Sequence, residues 1–222
     1  MKLPRQMVRG KFLSNLSQKD IRFVMLSLAR DGNEADSLLK LLTDDGTRGA
    51  ILDSAVLWSV ASNLKKVLPL SQELYFYILL RNALKEQSVF SPEVAAFLAE
   101  AISVFPPAPR PGVHTADYEE ALKNAKDYEW FVLALELANR SLILSGIYGK
   151  EIYITRQDHA IASLNRYENI GRNHYRLCSK NKLAEEFDLK EILLVLAEDF
   201  QKVRAALESI RESYLRVTEG KA

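Results

Sequence analysis

SQELYFYILLRNALKE, residues 71–86, is the stretch that decides the fold class of this chain. The predicted helix starts at Ser71, and seven consecutive apolar residues follow at 74–80. A helix that is apolar on every side is buried on every side, so other helices must surround it. The sequence therefore predicts a central helix around which the first half of the chain packs.

Helix starts are readable on both sides of this central element. Ser17 and Asp20 have the spacing of a capping box. Ser91 is followed by proline, which is tolerated at the first helical position. Asn33 is a candidate cap for another helix, and residues 47–66 indicate two short helices. With the helical patterns farther along, these signals predict an all-α, multi-helix bundle of about eight or nine helices.

The last predicted helix begins after Asp188 and carries the most regular apolar pattern in the chain. Its apolar residues step by three and four, which is the a/d seam of a heptad repeat. At about 1.5 Å per residue, a helix of roughly thirty residues spans about 45 Å. Its far end would pack against a long antiparallel helix of the same chain or against a second subunit. The seam is Leu193, Leu196, Phe200, Val203, Leu207, Ile210, Tyr214 and Val217, of which Val203, Leu207, Ile210 and Tyr214 form the candidate interface.

A proline-rich stretch, FPPAPRPGV at 105–113, is the one clear connector. Proline lacks an amide donor and fixes its own φ, so this stretch is neither helix nor inner strand. We expect an N-terminal helical half at 1–104, a connector at 105–114 and a C-terminal half at 115–222. The two halves could also pack as one domain.

Composition narrows the class of protein. The chain has 222 residues, of which 48% are hydrophobic, so it can bury a real core and is not intrinsically disordered. Its longest apolar run is far shorter than the ~18 residues of a membrane span, and nothing near its start resembles a signal sequence. Cys178 is the single cysteine, which excludes an internal disulfide. We expect a soluble, cytoplasmic protein without a membrane partner.

Motifs for catalysis, cofactors and metals are absent from the sequence. The three histidines, His114, His159 and His174, have none of the spacings that bring metal ligands together on a helix. His174 and Cys178 share one helix face, but that pair has neither a third ligand nor the setting that activates a thiol. The sequence predicts no catalytic residue, no metal and no cofactor.

A line of polar side chains on the otherwise apolar helix after residue 127 is the candidate polar pocket. Glu136 and Arg140 can pair at i, i+4. Facing the bundle interior beside Asn139, this line would make a charged pocket, whereas facing water it would be a solvated edge. The candidate pocket comprises Arg81, Glu136, Asn139, Arg140 and His174.

Residues 156–182 carry six basic and two acidic side chains. Arg172, Arg176 and Lys180 form one row at i, i+4 and i+8, which is a candidate anion-binding face with tyrosines nearby. The same face could instead pair within the chain, because residues 31–60 have a net charge of −4 and residues 183–222 of −3. The balanced charge of the whole chain favours that intramolecular reading.

Two stretches resemble a known group of proteins. SQELYFYILLRNALKE at 71–86, and LILSGIY at 142–148 leading into YENIGRNHYRL at 167–177, are similar to an uncharacterised family of bacterial helical proteins with no established activity. The resemblance implies a bacterial, cytosolic, all-helical protein and transfers no catalytic residue. Within the first stretch, Arg81 follows the apolar run, so we expect it to be partly buried against a carboxylate such as Glu129 or Glu136.

The sequence thus predicts a non-catalytic interaction or regulatory protein that self-associates, or binds a protein partner, through its last helix. Two alternatives stay open. One is binding of nucleic acid or another polyanion through the basic segment at 156–182. The other is a small-molecule-binding protein or enzyme with a polar pocket between the helices at 127–147 and 159–182.

Overall fold

A computed structural model describes residues 11–64, 68–105, 114–149 and 160–213. The described residues form thirteen α-helices and no strand, so the predicted all-α class is confirmed, while the helices outnumber the predicted eight or nine. Residues 106–113 of the connector predicted at 105–114 lie outside the described residues, while His114 at its end begins a helix. The helices are α1 Lys11–Ser14, α2 Gln18–Leu28, α3 Gly32–Thr43, α4 Asp45–Leu52, α5 Ala55–Ser62, α6 Gln72–Glu86, α7 Pro92–Ser103, α8 His114–Asn124, α9 Asp127–Ile147, α10 Ala160–Ser179, α11 Lys182–Glu186, α12 Lys190–Glu198 and α13 Phe200–Ser213.

The predicted central helix is α6. Ser71 caps it by accepting a hydrogen bond from the Leu74 amide, and the residues at 77–81 are all buried. Helix α7 packs along α6, and every residue from Val94 to Ile102 is buried. One hydrophobic cluster includes α6 and α7 together with residues of α9, α12 and α13, so the core contains side chains from both sides of the connector.

The short helices before α6 are joined to it by Asp20. Its carboxylate accepts hydrogen bonds from the Ser17 hydroxyl at 2.7 Å and from the Ser71 amide at 2.6 Å, so one buried side chain serves the starts of α2 and α6. The predicted capping box is confirmed. Asn33, in contrast, lies inside α3, whose cap is Asp31, because the Asp31 carboxylate accepts from the Glu34 amide.

Helices α9 and α10 lie antiparallel, and α13 crosses both where glycine removes a side chain. A Cβ built on Gly146 would lie 2.7 Å from the Leu207 Cβ, and a Cβ built on Gly171 would overlap the Phe200 ring. Gly146 therefore allows α13 to pack closely against α9.

The predicted single C-terminal helix is wrong, because the chain breaks at Asp199 into α12 and α13. Helix α12 packs against α7 and α10, whereas α13 packs against α6 and α9. The change of direction lets the broad apolar stripe of this segment contact four helices instead of extending past them. Val203, Leu207 and Ile210 are buried within the chain, so they form no exposed interface, and Tyr214 lies outside the described residues.

One helix of the described part, α9, is long and apolar enough to cross a membrane. In its most apolar window, 72% of the residues are buried inside the protein. A core helix and a membrane span can have similar compositions, and burial of this extent is characteristic of a core helix.

Candidate functional site

The candidate polar pocket is divided by the fold. Glu136 and Arg140 pair on α9, with 3.0 Å between Arg140 Nη2 and Glu136 Oε1. The Tyr118 hydroxyl of α8 donates to the same Glu136 oxygen at 2.5 Å. The Arg140 guanidinium lies over the Tyr118 ring and the Phe105 ring, 5.1 and 5.7 Å from their centroids. Burial and the bond to Glu136 raise the pKa of Tyr118 to about 12.

Asn139 lies beside this cluster but is directed toward the core. Its Oδ1 accepts a hydrogen bond from the buried Tyr175 hydroxyl at 2.8 Å, which ties α9 to α10. The notch lined by Glu136, Asn139 and Arg140 has a volume of about 30 Å³, far below the roughly 300–1,000 Å³ of small-molecule pockets. This cluster joins α8, α9 and α10 and has no space for a small-molecule substrate.

Arg81 belongs to a different cluster. Its guanidinium donates to both carboxylate oxygens of Asp53, at 2.6 and 2.5 Å, and to the Phe90 carbonyl at 2.8 Å. The expected pairing with Glu129 or Glu136 is therefore wrong. Burial alone would raise the pKa of Asp53, but the hydrogen bonds from Arg81 and Lys85 outweigh burial and lower it. This arrangement fixes the loop after α6 to the loop after α4.

His174 also lies away from the notch. Its Nδ1 is 2.8 Å from the Ile170 carbonyl oxygen of the same helix. Cys178, one turn farther along α10, is fully buried, and burial raises its pKa to about 12. A buried thiol that stays protonated is a poor nucleophile near neutral pH. No group of three side chains able to hold a metal ion occurs in the described part of the chain.

The basic row on α10 is only partly free. Arg172 donates to the Ala197 carbonyl at 3.3 Å and pairs with Glu168 at 3.3 Å, so it contributes to packing against α12. Arg176 and Lys180 are exposed, and no ion pair within the described residues engages them. Two of the three predicted anion-binding side chains therefore face solvent.

An open, apolar surface lies between α2 and α3, where the sequence patterns predicted no site. We call it the α2–α3 groove. Leu26 is 76% exposed, and Leu39 on α3 is 37% exposed. The groove has a volume of about 360 Å³. Its lining residues are Gln18, Ile21, Arg22, Met25, Leu26 and Leu39.

Helix α2 is apolar on two faces, and this is why the groove exists. Phe23 and Val24 fill the core, while Met25 and Leu26 lie on the outward side. Ile21 lines the groove and also packs against the core. At 100° per residue, the two faces are nearly opposite. In the sequence, the apolar residues of α2 are spread widely around the helix. This pattern is consistent with an exposed apolar face, but a helix that is buried on all sides has the same pattern.

A larger cleft, of about 520 Å³, lies where the start of α7 meets α11 and α12. Ile192 and Val195 line it, and the lysine on its edge, Lys190, pairs with Glu185 at 2.6 Å. The other acidic side chains do not converge on one point. They are Glu93, Asp188 and Glu191.

Comparison of the chain with protein-family models, with curated proteins and with solved structures finds no match. A function for the chain therefore has to be inferred from its own geometry.

Proposed function

We propose that this chain is a non-catalytic helical interaction protein that binds a protein partner through the α2–α3 groove. The observation that carries the proposal is the exposure of Leu26 on an open apolar surface. Contiguous exposed apolar surface rimmed by polar residues is typical of protein interaction sites. The same reasoning moves the interface away from the heptad seam, whose described residues are buried.

The distribution of exposed apolar side chains supports this location. Five of the eight large apolar side chains that are exposed in the described residues lie on α2, α3 and α5. Helix α2 packs against both α3 and α5, so these side chains belong to neighbouring helices. Of these side chains, Leu26 and Leu39 line the groove. Fully burying one leucine contributes roughly 1.5–3 kcal/mol, so a partner that covers these two gains substantial free energy. The five side chains are Leu26, Leu39, Leu41, Val56 and Val60.

Site-specific photo-crosslinking tests the proposal. A photoreactive residue replaces Leu26 in one variant and Leu177 in a control, because Leu177 is an exposed leucine on α10, outside the groove. We expect one discrete protein adduct from position 26 and none from position 177. The adduct partner, once purified, should bind the wild-type chain and lose at least about tenfold in affinity for Leu26→Asp. No adduct at position 26, or equal binding to Leu26→Asp, contradicts the proposal.

Binding of nucleic acid or another polyanion through α10 is the second candidate. It is favoured by the exposure of Arg176 and Lys180 without ion pairs in the described residues. The expected result is retention of RNA or DNA at low salt, with an affinity that falls steeply as salt rises. Arg176→Glu combined with Lys180→Glu should abolish that retention, while Lys40→Glu on α3 should not. No retention of wild-type protein at low salt removes this candidate.

A further inference from the structure

The α2–α3 groove also has a charge that restricts its partner. Among the described residues, Arg22 is the only charged side chain that lines it, and Lys19 lies one turn before Arg22 on the same helix. Both are exposed, and no ion pair in the described part of the chain engages either. The single acidic residue of α2, Asp20, is buried and bonded to Ser17 and Ser71, so it does not offset them.

Helix α3 does not reverse this charge. On α3, exposed Asp36 lies about 60° around the helix from Leu39, while exposed Lys40 lies about 100° from Leu39. Asp36 therefore offsets only one of the two positive charges on α2. The groove therefore presents an apolar centre with a net positive edge along α2.

The groove lies between two neighbouring helices, α2 and α3. An amphipathic helix binds helical proteins by laying its apolar face into a groove of this kind. Helix α2 has eleven residues and is therefore about 16 Å long, so three turns of a partner helix match its length.

We infer that the partner of the α2–α3 groove is an amphipathic helix with acidic flanks. Apolar side chains at i, i+3 or i+4, and i+7 would contact Ile21, Leu26 and Leu39, and carboxylates beside that face would approach Arg22 and Lys19. Met25 provides an adaptable floor, since methionine accommodates side chains of differing shape. This inference rests on the proposed function and specifies the chemistry of the partner segment.

A displayed library of helical peptides tests the inference while the natural partner is still unidentified. The peptides are about fourteen residues long, roughly four turns, with mixed Leu, Ile, Met and Phe on one face. An equal mixture of Glu and Lys occupies the flanking positions. The full-length wild-type protein is the bait, with parallel selections on Leu26→Asp and on Leu177→Asp as the matched control.

Selected peptides should be enriched in Glu over Lys at the flanks, and a peptide from that pool should bind wild type and Leu177→Asp equally. Its affinity for Leu26→Asp should be lower by at least about tenfold. In the double variant Lys19→Glu with Arg22→Glu, the preference should reverse to Lys. All substituted residues are exposed, so circular dichroism and thermal unfolding should match wild type.

Failure of the inference is distinguishable from failure of the proposed function. Peptides that depend on Leu26 but show no preference for Glu overturn the acidic-helix inference and leave the groove as an interface. Absence of any Leu26-dependent peptide also overturns the inference, while the crosslinking experiment judges the interface independently. Leu26-dependent binding of vesicles rich in phosphatidylserine, without enrichment of acidic helices, overturns the inference in favour of a membrane surface.

Discussion

Replacing Gly171 by alanine tests whether α13 packs against α10 so closely that no side chain fits at position 171. The new Cβ would overlap the Phe200 ring and lie 2.7 Å from its Cζ atom. Phe200 is fully buried, and the Tyr175 ring packs 6.4 Å away, so the ring cannot move into solvent. Overpacking of a filled core typically costs about 1–3 kcal/mol, and this overlap belongs at the upper end. Alanine is better than glycine in a helix by about 1 kcal/mol. The expected net destabilisation is about 2 kcal/mol.

Urea unfolding followed by circular dichroism measures this change, with Gly49→Ala as the matched control. Gly49 also lies inside a helix, α4, but a Cβ built there meets nothing within 4 Å. The same substitution at position 49 should therefore raise the free energy of unfolding by up to about 1 kcal/mol. Opposite signs at the two positions would arise from packing alone, because the chemical change is identical.

A second substitution shows whether the Phe200 ring is the obstacle. Phe200→Leu removes the overlapping ring atoms. The double variant Gly171→Ala with Phe200→Leu should therefore lose less free energy of unfolding than the sum of the losses in the two single variants. A coupling near zero would mean that the two side chains do not meet. If Gly171→Ala is as stable as wild type while Gly49→Ala behaves as expected, the packing argument for α10 and α13 is wrong.

Three further predictions concern buried groups. Asp53→Asn should lower the free energy of unfolding by about 2–3 kcal/mol at neutral pH, because it removes the carboxylate that pairs with buried Arg81. The pKa of Asp53 is lowered in the folded state, so the stabilisation by its carboxylate is present above about pH 4 and is lost as pH falls. The difference in stability between the variant and wild type, measured by urea titration, should therefore shrink at acid pH. Cys178 should react with a disulfide reagent at pH 8 only as fast as the chain unfolds, since burial raises its pKa to about 12, and rapid stoichiometric labelling of native protein would contradict that burial. Leu207→Asp should lower the free energy of unfolding by more than about 4 kcal/mol, because it buries a charge against α9. If the variant instead unfolds at the wild-type temperature, and sedimentation shows that a wild-type dimer has become a monomer, the seam is an interface between subunits.

Local signals in the sequence identified several elements correctly. The apolar run in 71–86 predicted the buried helix α6, and residues 47–66 predicted two short helices, which are α4 and α5. Ser17 and Ser91 are the caps that their spacing indicated. These features depend on neighbours within one or two turns, which a single sequence contains.

Arg81 shows what local pattern does not contain. Its position after an apolar run predicted a buried guanidinium with a carboxylate partner, but the partner is Asp53, which lies 28 residues earlier. Several carboxylates satisfy the same chemistry, and only the packing of α6 beside the end of α4 selects one. The candidate polar pocket shows the same limit. The pairing of Glu136 with Arg140 follows from their spacing on one helix, but helical spacing does not show whether His174, on another helix, lies near them.

By itself the sequence determined the all-helical class, the buried helix α6 and which motifs of catalysis and metal binding the chain lacks, because helical period, caps and apolar runs are local properties. Only the tertiary structure decided that the C-terminal seam bends at Asp199 and is covered by its own chain, and that the outward face of α2 is left open. An apolar stripe has the same pattern whether a neighbouring helix of the same chain or a partner covers it. Which stripes remain exposed depends on how many helices the fold can bring against each one.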